Sequence, residues 1–295
     1  MTVGPADPDR TGPTRIERTI RVGISSWGDL PGFYPSGVRA GERLAWYARF
    51  FSLVEVNTSY YAVLPVQNYI RWAESTPENF IFDVKAFSEL SSSRSMPDVA
   101  TFAAFRESYQ PLRAAGKMGA VLFQFSPSFT NSPRSREHLT RIAAAIRDET
   151  TVIEFRHQSW LTPHVASETL AFLADLGLAY AIADEPQIPP DTVPPVIGVT
   201  NPELAYLRLH GRNAVGWRRG RGERYDYDYS STEIDEWADT AVDLAYRVSE
   251  VHVLFNNNAK GAGTRNALTM ADLLGLSLTA VPEPAAIQTR LFGDG

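Results

Sequence analysis

The sequence predicts a (β/α)8 barrel, a closed ring of eight parallel strands surrounded by helices. Short β-branched or aromatic runs alternate with longer segments of helical pattern, as in repeated βα units. The length of 295 residues fits the roughly 250 residues that are typical of such a barrel, with some insertions. Eight candidate strands joined by helical connections favour a ring over an open sheet.

The predicted elements follow one another in regular order. Strands are placed at residues 20–27, 53–60, 80–87, 120–125, 151–157, 179–184, 205–210 and 251–256. Helices are placed at residues 41–51, 66–75, 98–115, 134–148, 163–176, 232–248 and 263–274. An open doubly wound sheet is the alternative, but its usual Gly-rich phosphate turn is replaced after the first strand by Ser25-Ser26-Trp27-Gly28.

The ends of the chain differ in composition from the predicted barrel. Residues 1–18 are rich in Pro, Gly, Thr and Arg and lack the apolar run of a secretory signal, so we predict a flexible N-terminal tail. Residues 19–295 are predicted to form a single barrel domain with a C-terminal extension. No segment approaches about 18 uncharged apolar residues, so we expect no membrane span. The absence of cysteine excludes disulfides, thiolate metal sites and cysteine nucleophiles, and is compatible with a cytoplasmic protein.

Two predicted connections on the catalytic face are unusual. Residues 185–202 contain six prolines, which predicts an extended segment without regular structure. Residues 211–231 combine arginines with large aromatic residues: Arg212, Arg218, Arg219, Arg221, Arg224, Trp217, Tyr225, Tyr227 and Tyr229. A formal net charge of −6 gives no general attraction for nucleic acid or anionic lipid, so any nucleic-acid contact would be local to this loop.

Charged residues recur near the carboxyl ends of the predicted strands, although barrel strands usually read as apolar runs. Four strands each carry two polar or charged residues that are two positions apart: Glu55 and Asn57, Asp83 and Lys85, Glu154 and Arg156, Arg208 and His210. Gln124, Asp184 and Asn256 occupy similar positions in three further strands. Because alternate residues of a strand share a side, we expect these groups to converge on the barrel mouth, where barrel active sites lie. A purely structural ion-pair network is the alternative.

The balance of these charges narrows the chemistry. Four acids, Glu55, Asp83, Glu154 and Asp184, accompany three cations, Lys85, Arg156 and Arg208, which gives a nearly neutral cluster. A metal held by Glu154, Asp184, His157 and His210 is conceivable, but the nearby cations argue against it, and we predict neither a metal nor a cofactor. The same cations suit a bound carboxylate or phosphate, which arginine grips with two parallel hydrogen bonds.

Individual residues receive provisional roles. The candidates for proton transfer are Glu154, His157, Asp184 and His210, with Lys85 stabilising charge or forming an imine. The candidates for substrate binding are Glu55, Asn57, Tyr60, Gln124, Arg156, Arg208, Asn256, Asn257 and Trp27. Residues 256–264 form either an anion-binding turn before the last helix or an ordinary Gly-rich turn. A retaining glycosidase with two glutamates is excluded, because the late positions of strands four and seven carry Gln124, Arg208 and His210.

Several ordered sequence blocks resemble the YecE-like family, domain of unknown function 72. The blocks are Gly23-Ile24-Ser25-Ser26-Trp27, Phe33-Tyr34-Pro35, Val54-Glu55-Val56-Asn57 with Tyr60-Tyr61, Phe82-Asp83-Val84-Lys85, Glu154-Phe155-Arg156-His157 with Ser159-Trp160, Arg208-Leu209-His210-Gly211, and Phe255-Asn256-Asn257 with Gly261 and Asn266-Ala267. The resemblance runs from about residue 22 to residue 274 and implies a (β/α)8 barrel of undetermined activity. The chain departs from the family pattern after Trp27, where a second tryptophan is often expected and Gly28 stands.

Three classes of function follow from these observations. The favoured one is an enzyme without a redox cofactor that acts on a small polar or anionic molecule by hydrolysis, isomerisation or lyase chemistry. The second is a nucleic-acid enzyme or binder in which the aromatic residues of loop 212–229 stack on bases. The third is a non-catalytic barrel that serves as a ligand sensor or partner scaffold. The sequence fixes neither the substrate nor the oligomeric state.

Overall fold

Eight parallel strands form a closed ring in a computed structural model that describes residues 19–92, 98–220 and 223–276. The strands are β1 (Thr19–Ile24), β2 (Leu53–Val56), β3 (Ile81–Lys85), β4 (Met118–Gln124), β5 (Thr150–Glu154), β6 (Ala179–Asp184), β7 (Leu204–Leu209) and β8 (Glu250–Phe255). Each strand pairs with the next along the chain, and β8 pairs with β1 to close the ring. The predicted (β/α)8 barrel is confirmed. The tail at residues 1–18 and the extension beyond residue 276 lie outside the described residues.

Helices connect the strands and surround the ring. They are α1 (Arg43–Tyr47), α2 (Val66–Glu74), α3 (Val99–Ser108), α4 (Gln110–Ala114), α5 (Pro133–Ala145), α6 (Ala166–Asp175), α7 (Ala214–Arg219), α8 (Ser231–Ala245) and α9 (Ala262–Leu273). The predicted helix at residues 98–115 is divided into α3 and α4, because Pro111 has no amide hydrogen to continue the helical pattern. The proline-rich segment 185–203 contains no helix, as expected. Within the described ranges, every helix is too short or too polar to cross a membrane.

Several strands are shorter at their carboxyl ends than predicted. β1, β2 and β5 end before Trp27, Asn57 and His157, which therefore lie in the connecting segments. After β2 the chain enters a 3-10 turn, in which the Ser59 hydroxyl donates to the carbonyl oxygens of Val56 (2.8 Å) and Lys85 (2.6 Å). This turn fastens the end of β2 to the end of β3 at the barrel mouth.

Apolar side chains fill much of the lower interior of the ring. They are Leu53, Ala120, Leu122, Val152, Ala179, Ala181, Leu204, Tyr206 and Leu254. β1 and β2 approach each other so closely that a β-carbon at Gly23 would lie 2.3 Å from the carbonyl oxygen of Leu53. The apolar side chains precede the polar groups of the mouth along their strands and therefore lie below them.

A second polar group lies deeper in the barrel, and it contains Asp83. The Asp83 carboxylate accepts hydrogen bonds from the Ala120 amide (2.8 Å) and from Nδ1 of His252 (2.9 Å). Burial alone lowers the pKa of His252, but the carboxylates of Asp83 and Glu250 outweigh burial and raise it to about 9. Asp83 is therefore held by an imidazolium below the mouth and does not join Lys85 there.

Candidate active site at the barrel mouth

A cavity of about 550 Å³ opens at the carboxyl ends of the strands. Its walls are formed by Tyr60, Gln124, Phe125, Ser126, Pro127, Arg156, Ile188, Asp191, Trp217, Arg218, Arg224 and Tyr225. Small-molecule sites typically occupy about 300–1,000 Å³. Another cavity, of about 320 Å³, lies beside β1, but its charged lining residue Arg21 is paired with Glu250. The mouth cavity is therefore the better candidate for chemistry.

Arg208 lies in the floor beneath the cavity, where it contacts the lining residue Gln124, and is completely buried. Its guanidinium donates to both oxygens of Glu55, with Nη2–Oε1 at 2.7 Å and Nε–Oε2 at 2.9 Å. Nη1 also donates to Oε2 of Glu154 (2.5 Å) and to Oε1 of Gln124 (3.1 Å). These contacts span the barrel from β2 to β5, so Arg208 cross-links the interior and is not free to bind a ligand.

Arg156 lies above Arg208 and is also nearly buried. Nε donates to Oε1 of Glu154 (2.5 Å), Nη1 to Oε2 of Glu185 (2.6 Å) and Nη2 to Nε2 of His210 (2.8 Å). Burial raises the pKa of Glu154, but Arg156 and Arg208 outweigh burial and hold that pKa well below its usual value. Glu154 therefore remains ionised and supplies negative charge, not a transferable proton.

Two further groups of the floor have shifted pKa values. Burial, with help from Arg156, lowers the pKa of His210 to about 3, so its imidazole is neutral. Nδ1 of His210 lies 3.0 Å from the amide nitrogen of Asn256. Burial raises the pKa of Glu185 to about 7, against the opposing effects of Arg156 and of the Val193 amide, which donates at 2.8 Å. Glu185 therefore titrates near neutral pH.

Lys85 extends from the end of β3 toward the cavity. Nζ donates to Oε1 of Gln124 (3.0 Å) and lies 4.7 Å from the centre of the Tyr60 ring, and both partners line the cavity. Among the described residues, no carboxylate oxygen lies within 4.0 Å of Nζ. Burial, assisted by the charge of Arg208, lowers the pKa of Lys85 to about 8. This amine is therefore partly neutral near physiological pH.

The rim of the cavity is both cationic and aromatic. The Trp217 ring lies 5.4 Å from the guanidinium carbon of Arg156 and 4.8 Å from that of Arg224. Tyr225 packs 6.1 Å from Trp217, and Arg218 completes this wall. In the described part of the chain, neither Arg218 nor Arg224 forms a salt bridge with a carboxylate. These two guanidiniums are open to an anion.

Most of the predicted site residues meet at the mouth. Tyr60, Gln124 and Arg156 line the cavity. The hydrogen-bonded floor beneath them contains Lys85, Glu154, His210, Glu55, Arg208 and Asn256. Asn57 lies close by, where its amide nitrogen donates to the carbonyl oxygen of Ser25 at 2.6 Å. Asn57 therefore joins the ends of β1 and β2.

Asp184 and His157 point away from the cavity, contrary to expectation. The Asp184 carboxylate accepts hydrogen bonds from Nε of Arg212 (3.0 Å) and from the hydroxyl of Tyr229 (2.6 Å), outside the ring. The inward side of β6 continues from its alternating alanines to Glu185, one residue later. His157 likewise follows the inward Arg156 and bonds to Ser159, with Nδ1–Oγ at 2.8 Å.

Trp27 and Asn257 also lie outside the cavity wall. Trp27 packs edge-on against Trp72, with ring centres 5.0 Å apart. The Asn257 amide is buried and donates to the carbonyl oxygen of Tyr227 (2.9 Å) and to Oδ1 of Asn266 (2.7 Å). The first residues of α9 are covered too, because Gly263 is buried and donates to the backbone oxygen of Asn257 (3.0 Å). Of the two interpretations of residues 256–264, the geometry favours an ordinary Gly-rich turn over an anion-binding turn.

Sequence reasoning missed part of the site. Glu185 on the floor and Asp191 on the rim were not identified, whereas Trp217, Arg218, Arg224 and Tyr225 were recognised as part of an unusual loop but not assigned to the site. Small residues alternate inward along β6 at Ala179 and Ala181, and this pattern could have identified Glu185. Within the described residues, no group of three or more histidines and carboxylates could hold a metal ion.

Comparison with known proteins identifies the family. The profile of the family described as "Protein of unknown function DUF72" matches residues 21–290. The chain belongs to the DUF72 family. UPF0759 protein YunF of Bacillus subtilis is 32% identical over 273 residues, which cover 89% of this chain and 97% of YunF. UPF0759 protein YecE of Escherichia coli is 29% identical over 156 residues, which cover 51% of this chain and 53% of YecE. The resemblance to the YecE-like family is confirmed.

Solved structures of DUF72 proteins have the same fold. A DUF72 family protein from Enterococcus faecalis superposes with a TM-score of 0.79 at 34% identity, covering 88% of this chain and 96% of that one. A DUF72 family protein from Thermotoga maritima gives a TM-score of 0.79 at 30% identity, covering 87% and 99%. The DUF72 family therefore shares the barrel fold of this chain.

Proposed function

We propose that this DUF72 barrel is a cofactor-independent enzyme that binds a small anionic substrate in the mouth cavity and transfers protons there. The observation that carries the proposal is a set of cations around one cavity. Within the described residues, Lys85, Arg218 and Arg224 have no carboxylate partner at salt-bridge distance. A bound anion would supply the missing negative charge.

The charges around the cavity support an anionic ligand. On the floor, the three carboxyl groups of Glu55, Glu154 and Glu185 balance the three cations Lys85, Arg156 and Arg208. Among the described residues of the rim, Arg218 and Arg224 accompany one acid, Asp191, which leaves an excess of one positive charge (two minus one). Protonation of Glu185 near neutral pH increases that excess. Arginine pairs with carboxylate or phosphate through charge-assisted hydrogen bonds.

Lys85 is the side chain best placed to transfer a proton. A catalytic group works best when its pKa lies near the working pH. Lys85, with a pKa of about 8, meets this condition and contacts Gln124 in the cavity wall. Glu185 also titrates near neutrality, but its carboxylate is buried behind Arg156. Glu154 and His210 retain one protonation state and set the charge around Arg156.

Calorimetric titration with inorganic phosphate and with pyruvate tests the binding step. We expect Arg218→Ala and Arg224→Ala each to weaken binding about 10- to 100-fold, since a hydrogen bond to a charged group contributes about 1.5–3 kcal/mol. Arg219→Ala is the matched control, because Arg219 belongs to the same helix as Arg218, is exposed and pairs with Glu223. Failure of the wild type to bind either anion, or equal losses in all three variants, would overturn the proposal.

The contacts of loop 212–229 favour a small ligand over nucleic acid. Arg212 is paired with Asp184 and Glu233, and the Tyr227 hydroxyl donates to Glu233 (2.7 Å). Much of the loop is therefore engaged with the barrel as a cavity wall. We expect affinity for a single-stranded oligonucleotide to be weak. A high affinity that decreases steeply with salt concentration would support the nucleic-acid alternative.

The absence of cysteine suits a cytoplasmic enzyme.

A further inference from the structure

Amines are rare in this protein. Only three of its 28 basic residues are lysines. Nζ of Lys117 donates to the carbonyl oxygens of Ala73 (2.6 Å) and Thr76 (2.7 Å), and Lys260 is exposed and paired with Asp226 (2.6 Å). Lys85 is therefore the one lysine whose amine contacts residues that line the mouth cavity, Gln124 and Tyr60.

The surroundings of Lys85 favour the neutral amine, which is the nucleophilic form. Its neighbours Arg208 and Arg156 carry positive charge, and arginine does not lose its proton in proteins. A lysine that is desolvated or placed beside another cation becomes a nucleophile toward carbonyl groups. With a pKa of about 8, about one molecule in ten carries the neutral amine at pH 7.

The contacts of Nζ leave room for a new bond. Gln124 accepts one of the three hydrogens of the ammonium at 3.0 Å, and the Tyr60 ring lies 4.7 Å away. Both partners line the cavity, and Lys85 beside them keeps about 9% of its surface exposed. The ring face of Tyr60 would also stabilise a positively charged adduct by a cation–π contact.

We propose that Lys85 forms an imine with a small aldehyde or ketone that carries an anionic group, of which a 2-oxo acid is the simplest example. The proposal rests on the anionic site proposed above. The neutral amine adds to the carbonyl carbon, and one proton passes from the nitrogen to the oxygen to give a neutral carbinolamine. A second proton, taken from solvent, converts the hydroxyl to water; the C–O bond breaks, water leaves, and a protonated imine remains. Amine, carbonyl and one proton are thus converted to protonated imine and water, without an oxidant or a reductant.

The adduct would activate its substrate for bond cleavage. A protonated imine withdraws electrons from the adjacent carbon, so a proton or a carbon fragment can leave from that carbon. The anionic group of the same molecule would meet Arg218 and Arg224, which share the cavity with Gln124 and Tyr60. Substrate binding and carbonyl activation are thereby assigned to different side chains, which can be tested separately.

Reductive trapping tests the covalent step. The full-length protein is incubated with pyruvate and sodium borohydride, and intact mass and peptide mapping then locate the adduct. We expect peptide mapping to find an adduct, with the mass of pyruvate less one oxygen atom, on Lys85. The α-amino group, whose pKa is ordinarily about 7.7–8.0, is mapped separately. Lys260 is an internal control, because Asp226 raises its pKa. At pH 7 it holds at least about a hundredfold less neutral amine than Lys85, so it should be labelled far more slowly.

Two variants separate imine formation from anion binding. Lys85→Arg keeps the positive charge but removes the amine, so we expect trapping to be abolished while phosphate binding changes by less than about tenfold. Lys260→Met should leave trapping unchanged. If pyruvate binds by calorimetry but no adduct forms on Lys85, the imine proposal is wrong and the anion site remains. If neither pyruvate nor phosphate binds, both proposals are wrong. Equal labelling of Lys85 and Lys260 also rejects the imine.

Discussion

Replacement of Arg208 by methionine should strongly destabilise the barrel. Arg208 contributes two hydrogen bonds to the buried carboxylate of Glu55, at 2.7 and 2.9 Å. Without it, the described contacts of Glu55 reduce to the Tyr206 hydroxyl at 3.2 Å. Glu154 retains Arg156 as a partner. The variant therefore strands one carboxylate in the interior.

The magnitude follows from the cost of an unpaired buried charge. Removing one partner of a buried ion pair costs about 3–5 kcal/mol. A loss of about 4 kcal/mol corresponds to a decrease of roughly 10 °C in the melting temperature of a protein of this size. The double variant Arg208→Met with Glu55→Gln replaces the stranded charge by a neutral amide. We expect it to recover about half of the loss or more, which a double-mutant cycle measures.

Urea denaturation at pH 7, followed by circular dichroism and tryptophan fluorescence, gives the free energies of unfolding for this cycle. The slope of the unfolding free energy against urea concentration should be similar in all four proteins, because the surface exposed on unfolding is nearly the same. A loss below about 1 kcal/mol in Arg208→Met would contradict the assignment of Arg208 as an internal cross-link. A double variant less stable than Arg208→Met would contradict the role of the Glu55 charge.

Three further perturbations probe other parts of the barrel. Gly23→Ala should lower the free energy of unfolding by about 1–3 kcal/mol or more, because the new β-carbon would lie 2.3 Å from the Leu53 oxygen. Gly41→Ala is the control, since its β-carbon meets open space and should have little effect. Thermal unfolding compares the two variants. The pKa of His252 is raised in the folded state to about 9. The stabilisation by protonated His252 is fully present below about pH 6.5 and is lost as pH rises through about 9. The free energy of unfolding of His252→Asn, measured against pH, should therefore lack this decrease. The pKa of Glu185 is also raised, to about 7. Wild type should therefore lose stability between about pH 4.5 and pH 7, and identical pH profiles for wild type and Glu185→Gln would contradict this.

The sequence contained enough information to predict the fold and the floor of the site. Charged residues such as Glu55, Glu154 and Arg208 occur at alternate positions in otherwise apolar strands. A strand covered by helices outside can accommodate such residues only by pairing them inside the ring. Asp184 was misassigned because Glu185 follows it directly, and a one-residue difference reverses the side of a strand. The bulky Tyr180 and Ile182 pack outward in the main core. Alternation from these two residues places Asp184 on the outer side and Glu185 on the inner side.

The rim could not be predicted residue by residue. Loop 212–229 was recognised as cationic and aromatic, but tertiary contacts decide which of its arginines face the cavity. Arg212 turns outward because Asp184 and Glu233 hold it, whereas Arg218 and Arg224 line the cavity. The direction of this loop depends on the cap of α7, where Oδ1 of Asn213 accepts the Gly216 amide (2.9 Å). Such local turns depend on the packed barrel, so sequence periodicity does not specify them.

The pocket and the ion-pair network, which the sequence presented as alternatives, are physically one structure. Oε1 of Gln124 accepts hydrogen bonds from Nη1 of Arg208 (3.1 Å) and from Nζ of Lys85 (3.0 Å). Arg208 is itself fixed by Glu55 and Glu154, so the position of Gln124 is set by the network. Because those carboxylates are already engaged by guanidiniums, Lys85 receives a neutral oxygen as its partner. The network that stabilises the barrel interior thus also leaves the Lys85 amine with a neutral partner in place of a carboxylate and holds its pKa at about 8.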